Sequence, residues 1–163
     1  MNTAFIAIIL FEIILIVFAI YLLWSWLTKT PFYPSQLKKL DKLFNEKEIP
    51  IDSSTNFIDI GSGDGRIMIW AAKKGAMAHG IEYNPFLSLF TRVKTAFKGL
   101  SKKVRVFNKD FKNHNYSDYD IVYMYLFPEH MNILKEKLFR ELKPGSTIIT
   151  NTFTLEEVEP YKI

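Results

Sequence analysis

The chain has no cysteine. That excludes disulfides and thiolate metal sites, and it agrees with a reducing compartment. No lysine or arginine precedes Lys29, and Glu12 is the one charged side chain before it. The three histidines, His79, His114 and His130, share no metal-ligand spacing. There is no G-x-x-x-x-G-K-S/T phosphate loop and no G-x-S-x-G nucleophile elbow, so neither a phosphate cradle nor a serine nucleophile is indicated. No repeat or low-complexity tract occurs. Glycine is scarce as well: there are seven in 163 residues, and three of the seven fall at positions 61, 63 and 65. Such clustering marks a motif rather than scattered turns.

What is present first is a long apolar run, Ala4 to Leu27. As a helix it would extend about 36 Å, against a hydrocarbon core of about 30 Å. Glu12 interrupts it at a cost of about 2.5–3.5 kcal/mol. The Leu, Ile, Phe and Val residues around it outweigh that cost about twofold on the same scale. A cleaved signal peptide fits less well. It needs a basic start, a shorter core and a small-residue cleavage site, whereas this run ends in Trp24-Ser25-Trp26 after Tyr21, an interfacial belt. The expectation is an uncleaved anchor through the bilayer, residues 4–27. Lys29, Lys38, Lys39 and Lys42 all follow it. The positive-inside rule then puts the rest of the chain on the cytoplasmic or equivalent side. That part is basic, at about +5. Attraction to anionic headgroups accounts for the charge; a concentrated stripe for nucleic acid is not evident, and no nucleic-acid partner is expected.

Thr28 to Ser35 carries two prolines three apart and reads as extended. Leu37, Leu40, Leu43 and Phe44 then repeat at helical spacing behind Ser35. Three segments follow from this: an anchor over 1–28, a connector and lead-in helix over 29–50, and a domain over 51–163. In the domain, strands are expected at 56–60, 78–82, 104–108, 120–125 and 147–153, and helices at 67–74, 85–97 and 129–142. Asn84 caps the second of these helices and Pro85 starts it. The alternation predicts an α/β, doubly wound, mostly parallel Rossmann-like sheet with helices on both faces.

Asp59-Ile60-Gly61-Ser62-Gly63-Asp64-Gly65-Arg66 joins the first strand to the first domain helix. Strand, glycine loop and helix open a nucleotide-binding unit. Two carboxylates, Asp59 and Asp64, flank the loop. They disfavour a pyrophosphate and suit a cationic, phosphate-free ligand such as S-adenosylmethionine. Glu82 ends the second strand, 21 residues after Gly61, where an acid accepts ribose hydroxyls; the plainer alternative is a helix-start acid. Asp110 follows the third strand and can accept an adenine amine, with Phe111 covering the ring; otherwise it is an ordinary loop residue.

Taken together, Asp59 to Arg66, Glu82 and Asp110 are laid out as in class I S-adenosylmethionine-dependent methyltransferases, which this chain resembles. Pro31-Phe32-Tyr33-Pro34-Ser35, Glu82-Tyr83-Asn84-Pro85 and Tyr123-Met124-Tyr125-Leu126-Phe127-Pro128 narrow the likeness. They resemble the membrane-anchored lysine methyltransferases of the mitochondrial adenine nucleotide carrier and ATP synthase c-subunit, with their prokaryotic relatives. By position, the resemblance implies that Asp59, Gly61, Ser62, Gly63, Asp64 and Gly65 hold the methionine part of S-adenosyl-L-methionine. It assigns Glu82, with Tyr83 and Asn84, to the ribose, and Asp110 and Phe111 to the adenine. Tyr33 would fold over the donor, and Tyr125, Phe127 and Pro128 would line the acceptor channel. Leu126-Phe127-Pro128 replaces the Asn/Asp-Pro-Pro-Tyr of nucleic-acid amino methyltransferases. The resemblance also implies two further strands after the fifth, for which few residues follow; the fifth strand would then be a bare edge, to be covered by a second copy or a membrane surface.

A lysine acceptor must lose a proton, costing about 4–5 kcal/mol at neutral pH. An aromatic channel near a sulfonium lowers that cost, and Tyr33, Tyr83, Tyr123, Tyr125 and Phe127 could wall one. The expected function is a membrane-anchored protein-lysine N-methyltransferase without a metal. Two alternatives stay open: a small-molecule or lipid-linked methyltransferase, and a donor-binding module without catalysis.

Overall fold

The computed structural model describes residues 3–28, 34–46 and 49–160. The chain forms two compact units, Met1–Tyr33 and Pro34–Ile163. The first is one helix, α1 (Thr3–Thr28). Its sequence has no glycine or proline to break it, and Thr3–Leu23 is long and apolar enough to cross a membrane, with none of that stretch buried. A helix that is apolar on every side has no face suited to water.

The second unit runs α2 (Leu37–Glu46), β1 (Asn56–Ile60), α3 (Arg66–Lys73), β2 (Met77–Glu82), α4 (Pro85–Phe97), β3 (Val104–Asn108), a 3-10 turn (Phe111–Asn113), β4 (Ile121–Met124), α5 (Pro128–Glu141) and β5 (Thr147–Thr150). The strands form one parallel sheet in the order β3-β2-β1-β4-β5. Side chains alternate across it. Phe57, Ala78, Val104, Val106, Ile121 and Tyr123 enter a core shared with α2 and α3. Ile58, Ile60, Ile81, Val122 and Met124 enter the opposite core, closed by Met131, Leu134 and Leu138 of α5. Covering both faces requires apolar residues at successive positions, which is why these strands read as unbroken apolar runs.

Asn84 caps α4 as expected, its side chain accepting from the amides of Phe86 and Leu87, with Pro85 in the first turn. The fifth strand is shorter than expected and ends at Thr150. Thr152 takes a positive φ of 73°, which turns the chain out of the sheet. Phe153, Leu155 and Val158 then fold over the second core. β3 and β5 are the two edges of the sheet. α2 is a working part of the first core: Leu40 and Phe44 are buried, and the Phe44 ring meets Trp70 at 4.7 Å between centroids. The Trp70 indole N–H donates to Asp41 at 2.8 Å, so the indole's polar atom is satisfied where its ring is buried.

Candidate active site

Strand order reverses at β1, whose neighbours are β2 and β4. In a doubly wound sheet the crevice at that reversal, beyond the carboxyl ends of the strands, is where a ligand sits. The loop leaving β1 lies there. Two of its glycines have steric reasons. Gly61 (φ 79°) and Gly65 (φ 73°) are both left-handed, and a Cβ at Gly65 would collide with Thr91 of α4, one at Gly61 with Leu126.

Most of the loop's amides are consumed internally. Gly61 and Ser62 both donate to the Ile81 carbonyl at 2.9 and 3.0 Å, and Gly65 donates to the Ser62 carbonyl at 2.9 Å. Gly63 donates to Glu82 Oε2 at 2.8 Å. No row of N–H groups is left to face a phosphate, unlike an anion-binding loop. The charge points the same way. Asp59 is buried, and burial, then the negative fields of Glu82 and Asp64, hold its carboxyl well above the usual range. Burial also raises Glu82, although the amides of Asn84, Gly63 and Tyr83 pull against it. A cation placed here would relieve both acids.

Asp64 behaves differently from Asp59, although the sequence sets them symmetrically about the loop. Burial opposes its charge, but Arg66 and Lys94 overcome that and hold it below the usual range. Arg66 Nε and Lys94 Nζ each reach it at 2.9 Å. Its role is to tie the loop to α3 and α4. The uncompensated acids are Asp59 and Glu82. Beside them, Ser62 Oγ is buried without a hydrogen-bond partner. A buried hydroxyl left so costs about 1–3 kcal/mol, and a polar ligand group would satisfy it. A cationic, phosphate-free ligand therefore fits these residues.

Asn108, which the sequence pattern did not single out, ties the end of β3 to the end of β2 at Glu82. It pairs with Glu82 in the sheet register, and its amide donates to the carbonyls of Glu82 and Tyr83 at 2.8 and 3.0 Å. A polar residue closing an edge strand opposite the key acid was the available signal. Asn84 donates its N–H to Glu82 Oε1 at 2.7 Å, so its service is to orient the acid and cap α4. Asp110 caps the 3-10 turn, Oδ1 accepting from Lys112 N at 2.9 Å. Phe111 is half-buried against the second core, 5.7 Å from the His130 ring.

On the β4 side, Tyr125 is half-buried against the first core, Phe127 is exposed, and Pro128 opens α5. Tyr83 is exposed on the β2 side. Tyr33 lies outside the described residues. Tyr123 pairs with Asp59 in the sheet. Burial, chiefly, pushes its phenol up to about 12, while hydrogen bonds with Ser35 and Asn151 work against that shift. It thus draws the start of the second unit, β4 and the end of β5 to one place. His79 and His114 also meet, each bonded to the Tyr119 hydroxyl, at 2.8 and 3.0 Å, which no sequence spacing announced.

A parallel β3-β2-β1-β4-β5 sheet, helices on both faces and an acid-flanked glycine loop at the reversal define the Rossmann-like fold of class I S-adenosylmethionine-dependent methyltransferases. Within that class the chain belongs to the ANTKMT methyltransferase domain family, whose profile matches residues 59–162. It is 33% identical over 130 residues to the ATP synthase c-subunit lysine N-methyltransferase of Homo sapiens, an alignment covering 80% of this chain and 54% of that one. It is 26% identical over 141 residues to a protein-lysine N-methyltransferase of Saccharolobus islandicus, covering 85% and 86%. Among solved structures, an RNA methyltransferase from Salinibacter ruber in complex with S-adenosyl-L-homocysteine matches with a TM-score of 0.74 at 28% identity, over 80% of this chain and 84% of that one. The chain spans about half the length of its mammalian relatives: 54, 59 and 51% of the human, rat and mouse proteins.

Proposed function

We propose that this chain binds S-adenosylmethionine and methylates a lysine side chain of a protein at a membrane. The observation that carries the reading is the buried pair of acids Asp59 and Glu82, with no cation beside either among the described residues, at a loop most of whose amides are already hydrogen-bonded. The donor supplies a methyl group on a positive sulfonium. Glu82 accepts the ribose hydroxyls, held in aim by Gly63, Asn84 and Asn108. Asp59 and Ser62 answer the ammonium end, and Asp110 and Phe111 receive the adenine. Tyr33, Tyr125, Phe127 and Pro128 form the acceptor side. There, aromatic walls exclude water and help the ammonium of the incoming lysine shed its proton, a cost of about 4–5 kcal/mol at neutral pH. Alignment of the free amine is then the main demand on the protein.

The lysine methyltransferase activities of the Homo sapiens and Saccharolobus islandicus relatives support the lysine acceptor. Helix α1 supports attachment to a bilayer, with Lys29 onward on the cytoplasmic or equivalent side. A nucleic-acid acceptor is the second reading, favoured by the likeness to the Salinibacter ruber RNA methyltransferase.

Transfer of tritium from labelled donor into membranes of the source organism tests this. Label in protein that hydrolyses to methyl-lysine, and that disappears with Glu82→Ala, is the expected result. Label in RNA would move the acceptor to the second reading, and label in lipid to a lipid-linked substrate. Donor binding with no transfer to any fraction would leave a binding module.

A further inference from the structure

Helix α4 is inside out. Ser88, Thr91 and Thr95 are its buried residues, and Thr91 donates to the Gly63 carbonyl at 3.0 Å. Leu89, Phe90, Val93 and Phe97 face outward, 61, 54, 47 and 89% exposed. A helix on the surface of a domain in water carries the opposite pattern. The chain from Pro85 to Lys109 also contains no acid and seven cations. Lys94 is compensated by Asp64. Lys98, Lys102 and Lys103 stand exposed just past the apolar stripe. Arg92, Arg105 and Lys109 line a cavity of about 500 Å³ between α4 and the β3 edge.

We propose that the outward face of α4, with the basic segment that follows it, docks on the surface of an anionic phospholipid bilayer. An apolar stripe beside exposed lysines is the pattern of a helix lying in the interface plane, its rings among the acyl chains and its cations on the phosphates. A second copy fits poorly, because a two-fold contact would set this patch of like charge against itself. The proposal rests on the reading of α1 as a bilayer span. The two units are consecutive in one chain, so an inserted α1 delivers the domain to the membrane. Docking has a consequence for the reaction. Asn84 and Pro85, which open α4, lie two and three residues after Glu82, so the end of α4 nearest the donor site lies at the membrane surface, and acceptor lysines close to the bilayer are favoured.

The absence of cysteine makes the test direct. Single-cysteine variants of the full chain, Val93→Cys, Phe97→Cys, Glu136→Cys and Ile14→Cys, are labelled with an environment-sensitive dye. They are then reconstituted into phosphatidylcholine vesicles with or without phosphatidylglycerol. Expected are blue-shifted emission and quenching by nitroxide lipid at 93 and 97 in the anionic vesicles alone, reversed by salt, while 136 stays aqueous. Lys98→Gln, Lys102→Gln and Lys103→Gln should each lower the docked-to-undocked ratio about fivefold. Aqueous emission at 93 and 97 in anionic vesicles, with 14 quenched, would overturn docking and leave the span standing. Quenching at 97 without quenching at 14 would overturn the span and keep docking. A blue shift at 97 in detergent that grows with protein concentration would give the face to a second copy and overturn the proposal.

Discussion

Glu82 is the side chain on which most of the site converges. Both of its oxygens already accept backbone N–H groups, from Gly63 and Asn84. In Glu82→Gln one of those positions must take an NH2 group against an N–H, leaving a buried donor unsatisfied at about 1–3 kcal/mol. Donor affinity should fall roughly 10- to 100-fold by that measure, with a lower melting temperature; titration calorimetry and a thermal melt read the two effects. Asp59 sets the pH dependence. Its folded titration lies above the unfolded value of 3.8. The unfolded chain therefore releases this proton first, and apo stability declines as pH rises from 3.8 through the folded value. A bound cation favours the ionised form, so binding expels a proton and affinity rises with pH across the same window. Calorimetry in two buffers of different ionisation enthalpy should show proton release, and Asp59→Asn should reduce it, leaving the share that belongs to Glu82.

At the scale of elements, α2 holds the first core shut. Phe44→Ala removes a buried ring packed on Trp70, and the expected loss is about 3–5 kcal/mol, read as a drop in the urea midpoint. The link between β2 and the residues before β4 depends on neutral imidazoles. Burial, then Lys109 and His79, lower His114 to about 4 from 6.5. Between those values the unfolded chain binds the proton and the folded chain does not. Stability is therefore full above 6.5 and is lost as pH falls towards about 4. Denaturation midpoints across that range should fall in the wild type. His114→Gln, at a lower overall stability, should show a flatter profile.

For the whole molecule, the question is how a basic α/β unit and an apolar helix share one chain. Two lysines in place of Ile14 and Ile16 would add about 5–7 kcal/mol to insertion, most or all of what the apolar run supplies. The wild-type chain should stay in the membrane pellet through alkaline carbonate, and this double variant should be released. Retention of both would remove the bilayer span.

The order of strands and helices, the glycine loop, the cap at Asn84 and the long apolar run were legible in the sequence, because each is a local effect. Period, backbone freedom and capping act within a few residues of chain. The same locality explains why Asp59 and Asp64 looked alike there. Lys94, which neutralises one of them, lies 30 residues away, and Glu82 presses on the other from a neighbouring strand. Asn108 tying β3 to the end of β2, Tyr119 joining two histidines, α2 entering the core and Thr152 ending β5 early were likewise settled in three dimensions. The outward face of α4 is the clearest case. Its apolar and polar residues alternate as in any amphipathic helix, and the sequence cannot say which side meets the sheet. Tertiary packing turned the polar side inward, because Thr91 and Gly65 must meet without a Cβ between them.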